Sequence, residues 1–181
     1  MIVKALRSIQ RDLTLAGWMI FRTSIAGSVL VPQIVRTMLY RLSGLDIRSF
    51  NVREGQVFEN DHVHIGDQTY VSRNCSFEGN GAIVIGSQCQ VSAETMFITS
   101  NHKRLADGSI DHNTTALGIT VGDGVWIGAR SVILPGTIIE DNCIIAAGSV
   151  VRGRCLADST YGGVPVRLLS SPLRLVDSSN G

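Results

Sequence analysis

Between Ile119 and Arg152, large aliphatic residues fall at Val121, Ile127, Ile133, Ile139, Ile145 and Val151, one every six positions. Two places before each stands Ile119, Val125, Ser131, Thr137, Cys143 or Ser149, mostly small or β-branched. A helix repeats its buried face every 3.6 residues and a half-buried strand every two, so neither accounts for six. A period of six held over six repeats predicts a parallel β-helix, in which each hexapeptide supplies one short strand and one corner. The aliphatic points inward. The residue two before it lies on the same side of the pleat and must be small where the coil is narrow. One or two ordinary buried strands would not hold the spacing for so long.

The same template extends upstream. Val63/Ile65-Gly66, Thr69/Val71 and Cys75/Phe77 follow it, and Gly79-Asn80-Gly81 shifts the phase by two residues, a small corner insertion. The period resumes at Ile83/Ile85-Gly86, Cys89/Val91 and Thr95/Phe97. Phe97 and Val121 are 24 residues apart, four hexapeptides, yet the stretch from Ser100 to Leu117 is polar and has no aliphatic register. It reads as a loop thrown out of the coil and returning in phase, and long excursions from a regular scaffold usually carry function. Residues 1–44 lack the sixfold pattern and read as helical, with a break at Pro32 and a second short helix before Gly44. The domain plan is therefore a helical segment (1–44), a β-helix (45–167) with an extruded loop (100–118), and a polar-ended tail (168–181).

Composition agrees with a narrow coil of many corners: aromatic residues make up 6% of the 181, and there are 19 glycines. Net charge is +1 and gives no reason to propose nucleic acid as a partner. The charge is uneven, however. Residues 1–48 hold Lys4, Arg7, Arg11, Arg22, Arg36, Arg41 and Arg48 against Asp12 and Asp46, which is +5 and leaves −4 for the rest. Of the four cysteines, Cys75, Cys89 and Cys143 fall on inward small positions. With Cys155, none shows metal-ligand spacing, so buried free thiols and a reducing, cytoplasmic compartment are expected.

Lys4, Arg7, Arg11 and Arg22 share one face of a helix, with Ile2, Leu6, Ile9, Leu13 and Ile20 opposite. A secretory signal would be interrupted by Asp12 and Arg22, which bracket a short apolar run. A membrane-spanning helix would carry Arg22 at a cost of about 2.5–3.5 kcal/mol at the membrane centre. A basic amphipathic segment fits better. It either lies on the inner face of the membrane through residues 1–43 or packs against a neighbouring subunit.

The repeat, the loop opening Thr99-Ser100-Asn101-His102-Lys103, and the run Ile119–Gly128 together resemble the hexapeptide-repeat acyltransferases. Leu134-Pro135-Gly136, Ala146-Ala147-Gly148-Ser149 and Gly163-Val164-Pro165-Val166-Arg167 add to the likeness, which spans roughly residues 57–169. Within that family the chain is most similar to galactoside and maltose O-acetyltransferases and to acetyltransferases of surface polysaccharides. The resemblance implies an all-β, left-handed parallel β-helix and a homotrimer with sites between subunits. It also implies acetyl-CoA as co-substrate, a saccharide acceptor and no metal.

By the same resemblance His102 is the general base, since an imidazole can take a hydroxyl proton near neutral pH. Trp126, Ala129, Ala147, Arg152 and Arg167 match positions that hold coenzyme A, the two arginines facing its phosphates. Acceptor-contacting positions fall on Ser72 and Asn80, with Asn101 beside the base. The family more often has asparagine and aspartate at the first two, proline where Lys103 stands, and proline at Gly118. Those departures argue against a plain galactoside or maltose acceptor. Three other readings compete: an N-acetyltransferase of an amino-sugar nucleotide, a zinc enzyme of the carbonic anhydrase type using His62, His64, His102 or His112, and a trimeric scaffold without catalysis.

Overall fold

Stacked inward side chains make the core, and they do so in three columns. The computed structural model describes residues 13–14 and 16–171. Lys4, Arg7, Arg11, Asp12 and the tail from 172 onward lie outside the described residues. Parallel strands form a three-sided prism. Face 1 holds Asp46–Ile47, Val63–Ile65, Ile83–Ile85, Ile119–Val121, Ile138–Ile139 and Arg154–Cys155. Face 2 holds Tyr70–Val71, Gln90–Val91, Trp126–Ile127, Ile144–Ile145 and Thr160–Gly162. Face 3 holds Val57–Phe58, Ser76–Glu78, Met96–Ile98, Val132–Ile133 and Val150–Val151. This is the left-handed β-helix expected from the repeat. Arg167–Ser170 folds back antiparallel on Thr160–Gly162, so Leu168 to Ser170 lie in the sheet rather than in the tail.

Register is set by the aliphatic of each hexapeptide. On face 1, Ile65, Ile85, Val121, Ile139 and Cys155 lie above one another. On face 2 the column is Val71, Val91, Ile127, Ile145 and Tyr161. On face 3 it is Phe58, Phe77, Phe97, Ile133 and Val151. All are buried. The three phenylalanines stack with centroids 4.7 and 5.1 Å apart and nearly parallel planes.

The small inward position is often polar for a reason the geometry supplies. Each corner leaves a carbonyl pointing into the coil, and a buried carbonyl needs a donor. Thr95 Oγ1 donates to the Ser92 carbonyl (2.8 Å), Ser131 Oγ to Gly128 (2.8 Å) and Thr137 Oγ1 to Leu134 (2.7 Å). Each reaches three residues back. Cys75 Sγ does the same to Ser72 at 3.4 Å.

One residue per corner also turns through left-handed backbone. In the C-terminal coils these are Gly124, Arg130, Gly136, Asn142 and Gly148, six apart, all at positive φ. At Gly86, between faces 1 and 2, the limit is space: a Cβ there would lie 2.6 Å from the Gly122 carbonyl oxygen. Gly86→Ala is expected to cost about 1–3 kcal/mol in chemical denaturation through this overpacking. The control Val84→Ala, outward-facing on the same strand, should stay within about 0.5 kcal/mol.

All four thiols are buried and free, as the spacing predicts. Burial pushes Cys75 and Cys155 up to about 11 from the ordinary 9.0. Thiolate is the reactive form, so a disulfide exchange reagent near pH 8 is expected to find no thiol in the native chain and four after unfolding. Because the folded values are raised, the associated stability is present below pH 9. It is lost as the pH climbs toward 11, where the unfolded chain ionises first.

The N-terminal end of the prism is closed by a cap: helical residues 16–20, a π-helical turn Phe21–Ala26, and helix α1, Gln33–Leu42. Tyr40 packs edge-on against Phe58, the first ring of the column, at 5.1 Å. The basic stripe expected from the sequence breaks here. Arg22 is buried, not part of a solvent-facing basic stripe: its guanidinium donates to Ser43 Oγ (2.9 Å) and to the Ser43 carbonyl that ends α1. Desolvation holds its pKa below the usual guanidinium value, with Asp61 opposing. Arg36, equally buried, donates to the carbonyls of Ala26, Ser28, Val31 and Val52. Arg41 caps the carbonyls of Ile47 and Arg48 and lies 4.3 Å over the Phe50 ring. These arginines satisfy orphan backbone acceptors where helices meet the coil.

Candidate active site

The extruded stretch is not an irregular loop. Ser100–Arg104 and Ile110–Ala116 form an antiparallel hairpin standing on the corner between faces 3 and 1. Its tip carries the signal that sequence reading passed over, Asp107-Gly108. Asp107 Oδ1 accepts from the N–H and hydroxyl of Ser109 at 2.9 and 2.6 Å, and Gly108 sits at φ +87°. An Asp-Gly pair supplies just these two needs of a tight hairpin. At the base, Leu117 N–H donates to the Thr99 carbonyl (2.9 Å), so the coil closes beneath the hairpin.

His102 lies on the outgoing strand opposite Thr114, exposed. Its Nδ1 is 2.9 Å from the Asp111 carbonyl oxygen. A carbonyl only accepts, so Nδ1 carries the proton and the neutral ring presents its lone pair at Nε2. The Asp111 carboxylate takes two hydrogen bonds from Asn113, N–H and Nδ2, each 2.9 Å. These bonds hold it below the usual carboxylate range, with Lys103 and His102 adding attraction. Asp111 was not among the residues singled out from sequence, and nothing in its spacing marks it.

Beside the hairpin base is a cleft lined by Ile98, Ser100, Asn101, Leu117, Leu134, Pro135 and Arg152. It joins Asn101 of the acceptor set to Arg152 of the coenzyme set, with His102 one residue beyond. Asn80 is exposed on the same prism edge, one coil away, where Gly79 packs against Thr99 and Ser100.

The other expected residues are elsewhere. Ser72, Ala129 and Ala147 lie on the corner between faces 2 and 3, Ala129 and Ala147 on successive coils, where the Gly148 N–H meets the Ala129 carbonyl (2.8 Å). Trp126 faces outward on face 2, half exposed, its Nε1 donating to Ser92 Oγ (3.3 Å). Arg167 starts the antiparallel strand at the far end of that face. The backbone is close here: a Cβ on Gly128 would lie 2.4 Å from the Ala147 backbone nitrogen, so this edge is tight and smooth. The predicted residues thus fall into two groups at opposite margins of face 3. No group of three His, Cys, Asp or Glu side chains among the described residues is placed to hold a metal ion. His64 instead pairs with Asp46 at 2.7 Å.

Residues 118–153 match the family model described as bacterial transferase hexapeptide, six repeats. Over 141 residues the chain is 26% identical to the putative lipopolysaccharide biosynthesis O-acetyl transferase WbbJ of Escherichia coli, covering 70% of this chain and 66% of that protein. It is 29% identical to the galactoside O-acetyltransferase of Escherichia coli over 108 residues, 60% of this chain and 53% of that one. The chain therefore spans between about half and two thirds of the length of these relatives. Among solved structures, the hexapeptide-repeat acetyltransferase VCA0836 of Vibrio cholerae, complexed with acetyl coenzyme A, superimposes with a TM-score of 0.77. It is 26% identical, over 87% of both chains.

Proposed function

We infer that the chain is a hexapeptide-repeat acyltransferase, and from that premise propose that it is an acetyl-CoA-dependent O-acetyltransferase of a sugar hydroxyl, acting in surface glycan assembly. The observation that carries the reading is His102: its Nδ1 is committed as donor to the Asp111 carbonyl, which leaves Nε2 as the acceptor, and its neighbour Asn101 lines a cleft of mixed polarity. Names and bound ligands of the relatives support it, two of them O-acetyltransferases and one holding acetyl coenzyme A.

The residues fit a long anionic thioester. Arg152 and Arg167 offer charge-assisted donors to phosphates, and the smooth edge at Ala129 and Ala147 beside Trp126 suits an extended apolar arm. In the proposed reaction Nε2 removes the proton of an acceptor hydroxyl held near Asn101 and Asn80. The oxygen bonds to the thioester carbonyl carbon, the C–S bond breaks, and the thiolate takes the proton back from the imidazolium. Because the two residue groups stand at opposite margins of one face, a second copy must bring its Ala147 edge to the hairpin of the first. A ring of three such copies accommodates this, each pair sharing one site.

A panel of neutral sugars, amino sugars and their nucleotides, incubated with acetyl-CoA, tests the reading through released free thiol and the mass of the product. The protein's own thiols do not disturb that readout, being buried. Acetylation of a hydroxyl is expected. Transfer only to an amine would move the assignment to an N-acetyltransferase, and no transfer to any sugar would end it.

A further inference from the structure

We propose that the cap at the N-terminal end of the prism docks on an anionic lipid surface. The motivating feature is a helix with reversed polarity. α1 turns Arg36, Thr37 and Tyr40 toward the prism and presents Ile34, Val35, Met38 and Leu42 outward. The segment before it adds Leu13, Trp18, Met19, Ile20 and Ile25, all exposed. At the tip joining the two, Val29 and Leu30 are 75% and 87% exposed. A patch of this extent on one end of a molecule marks a surface made to be covered.

Charge selects the occupant. From 13 to 45 the sequence contains no Asp or Glu, and its three arginines all turn their guanidinium groups onto backbone carbonyls. The platform is thus apolar and carries no acid of its own, Glu59 and Asp61 bordering it only at the Trp18 margin. Lys4, Arg7 and Arg11 precede it in the chain, within the +5 stretch. A second copy is the less suitable cover. Under the proposed function, on which only this step rests, neighbours approach the long edges of the prism, whereas the cap closes its end. Parallel copies would then set their caps in one plane facing the same bilayer. Contact is interfacial: among the described residues no helix is long and apolar enough to cross a membrane.

Sedimentation of the full-length protein with vesicles tests the proposal, using phosphatidylcholine alone and phosphatidylcholine mixed with phosphatidylglycerol. Binding to the mixed vesicles is expected, weaker with added salt and with the neutral vesicles. A Val29→Asp, Leu30→Asp double variant is expected to bind at least about tenfold more weakly, since each charge must be left in the interface. Both positions are exposed, so its thermal unfolding should match the parent, and its turnover on a soluble sugar should be unchanged. That separates loss of docking from failure of the proposed chemistry. Equal sedimentation with both vesicle types, or with neither, would overturn the proposal. So would concentration-dependent self-association that the double variant abolishes, because the cover would then be a second copy.

Discussion

Replacing His102 by alanine is expected to lower acetyl transfer by about 10²–10⁴-fold, the usual contribution of a positioned proton acceptor. Binding of coenzyme A should persist, because the ring sits on the extruded hairpin, whereas Arg152, Arg167 and Ala147 belong to the prism itself. Steady-state kinetics beside calorimetric titration with coenzyme A checks both halves; retained turnover would remove the mechanism. The split arrangement adds a sharper expectation. Ala147→Trp would block the opposite margin and inactivate the protein for a different reason. Unfolded together and refolded, the two inactive variants should regain a fraction of activity, since some neighbouring pairs then combine an intact hairpin with an intact edge. No recovery, with mixed assemblies verified by mass, would place the whole site on one chain.

Phe77→Ala is expected to cost about 3–5 kcal/mol in urea denaturation, the range for truncating a fully buried aromatic ring. Its ring is sandwiched between Phe58 and Phe97, so its loss leaves a gap with aromatic walls above and below. Stacked coils contact only their neighbours. The damage should therefore fall on the N-terminal coils and cap first, and amide exchange should quicken around Phe58 and Tyr40 before it does around Ile133. Uniform loss of protection along the prism would show that the coils unfold as one unit.

The prism was legible because one constraint recurs. Each corner demands a small inward residue and each strand a large one, and six repetitions between Ile119 and Arg152 leave that demand visible without any partner. The placements of Phe77 and Phe97 follow from the same count, whereas Phe58, seven residues before Ile65, falls outside it. The hairpin was less legible, since its strands face solvent and alternate no hydrophobic residues. Only Asp107-Gly108 announces it. The cap misled for a physical reason: helical periodicity shows which arginines share a face, but not whether that face meets water or unpaired carbonyls. Arg22 and Arg36 meet carbonyls. At the site, His102 could be singled out through the family resemblance of the residues around it, whereas the role of Asp111 rests on a backbone oxygen, which every residue type possesses.

The closure at Thr99 and Leu117 has an evolutionary corollary. A scaffold that seals itself beneath its own outgrowth makes that corner a socket: whatever is plugged in there leaves the winding below undisturbed. Gly79-Asn80-Gly81, one turn earlier on the same ridge, is a smaller instance of the same tolerance. Descendants of such a chain can trade one appendage for another of different length and so acquire new acceptors, with no renegotiation of how the chain folds.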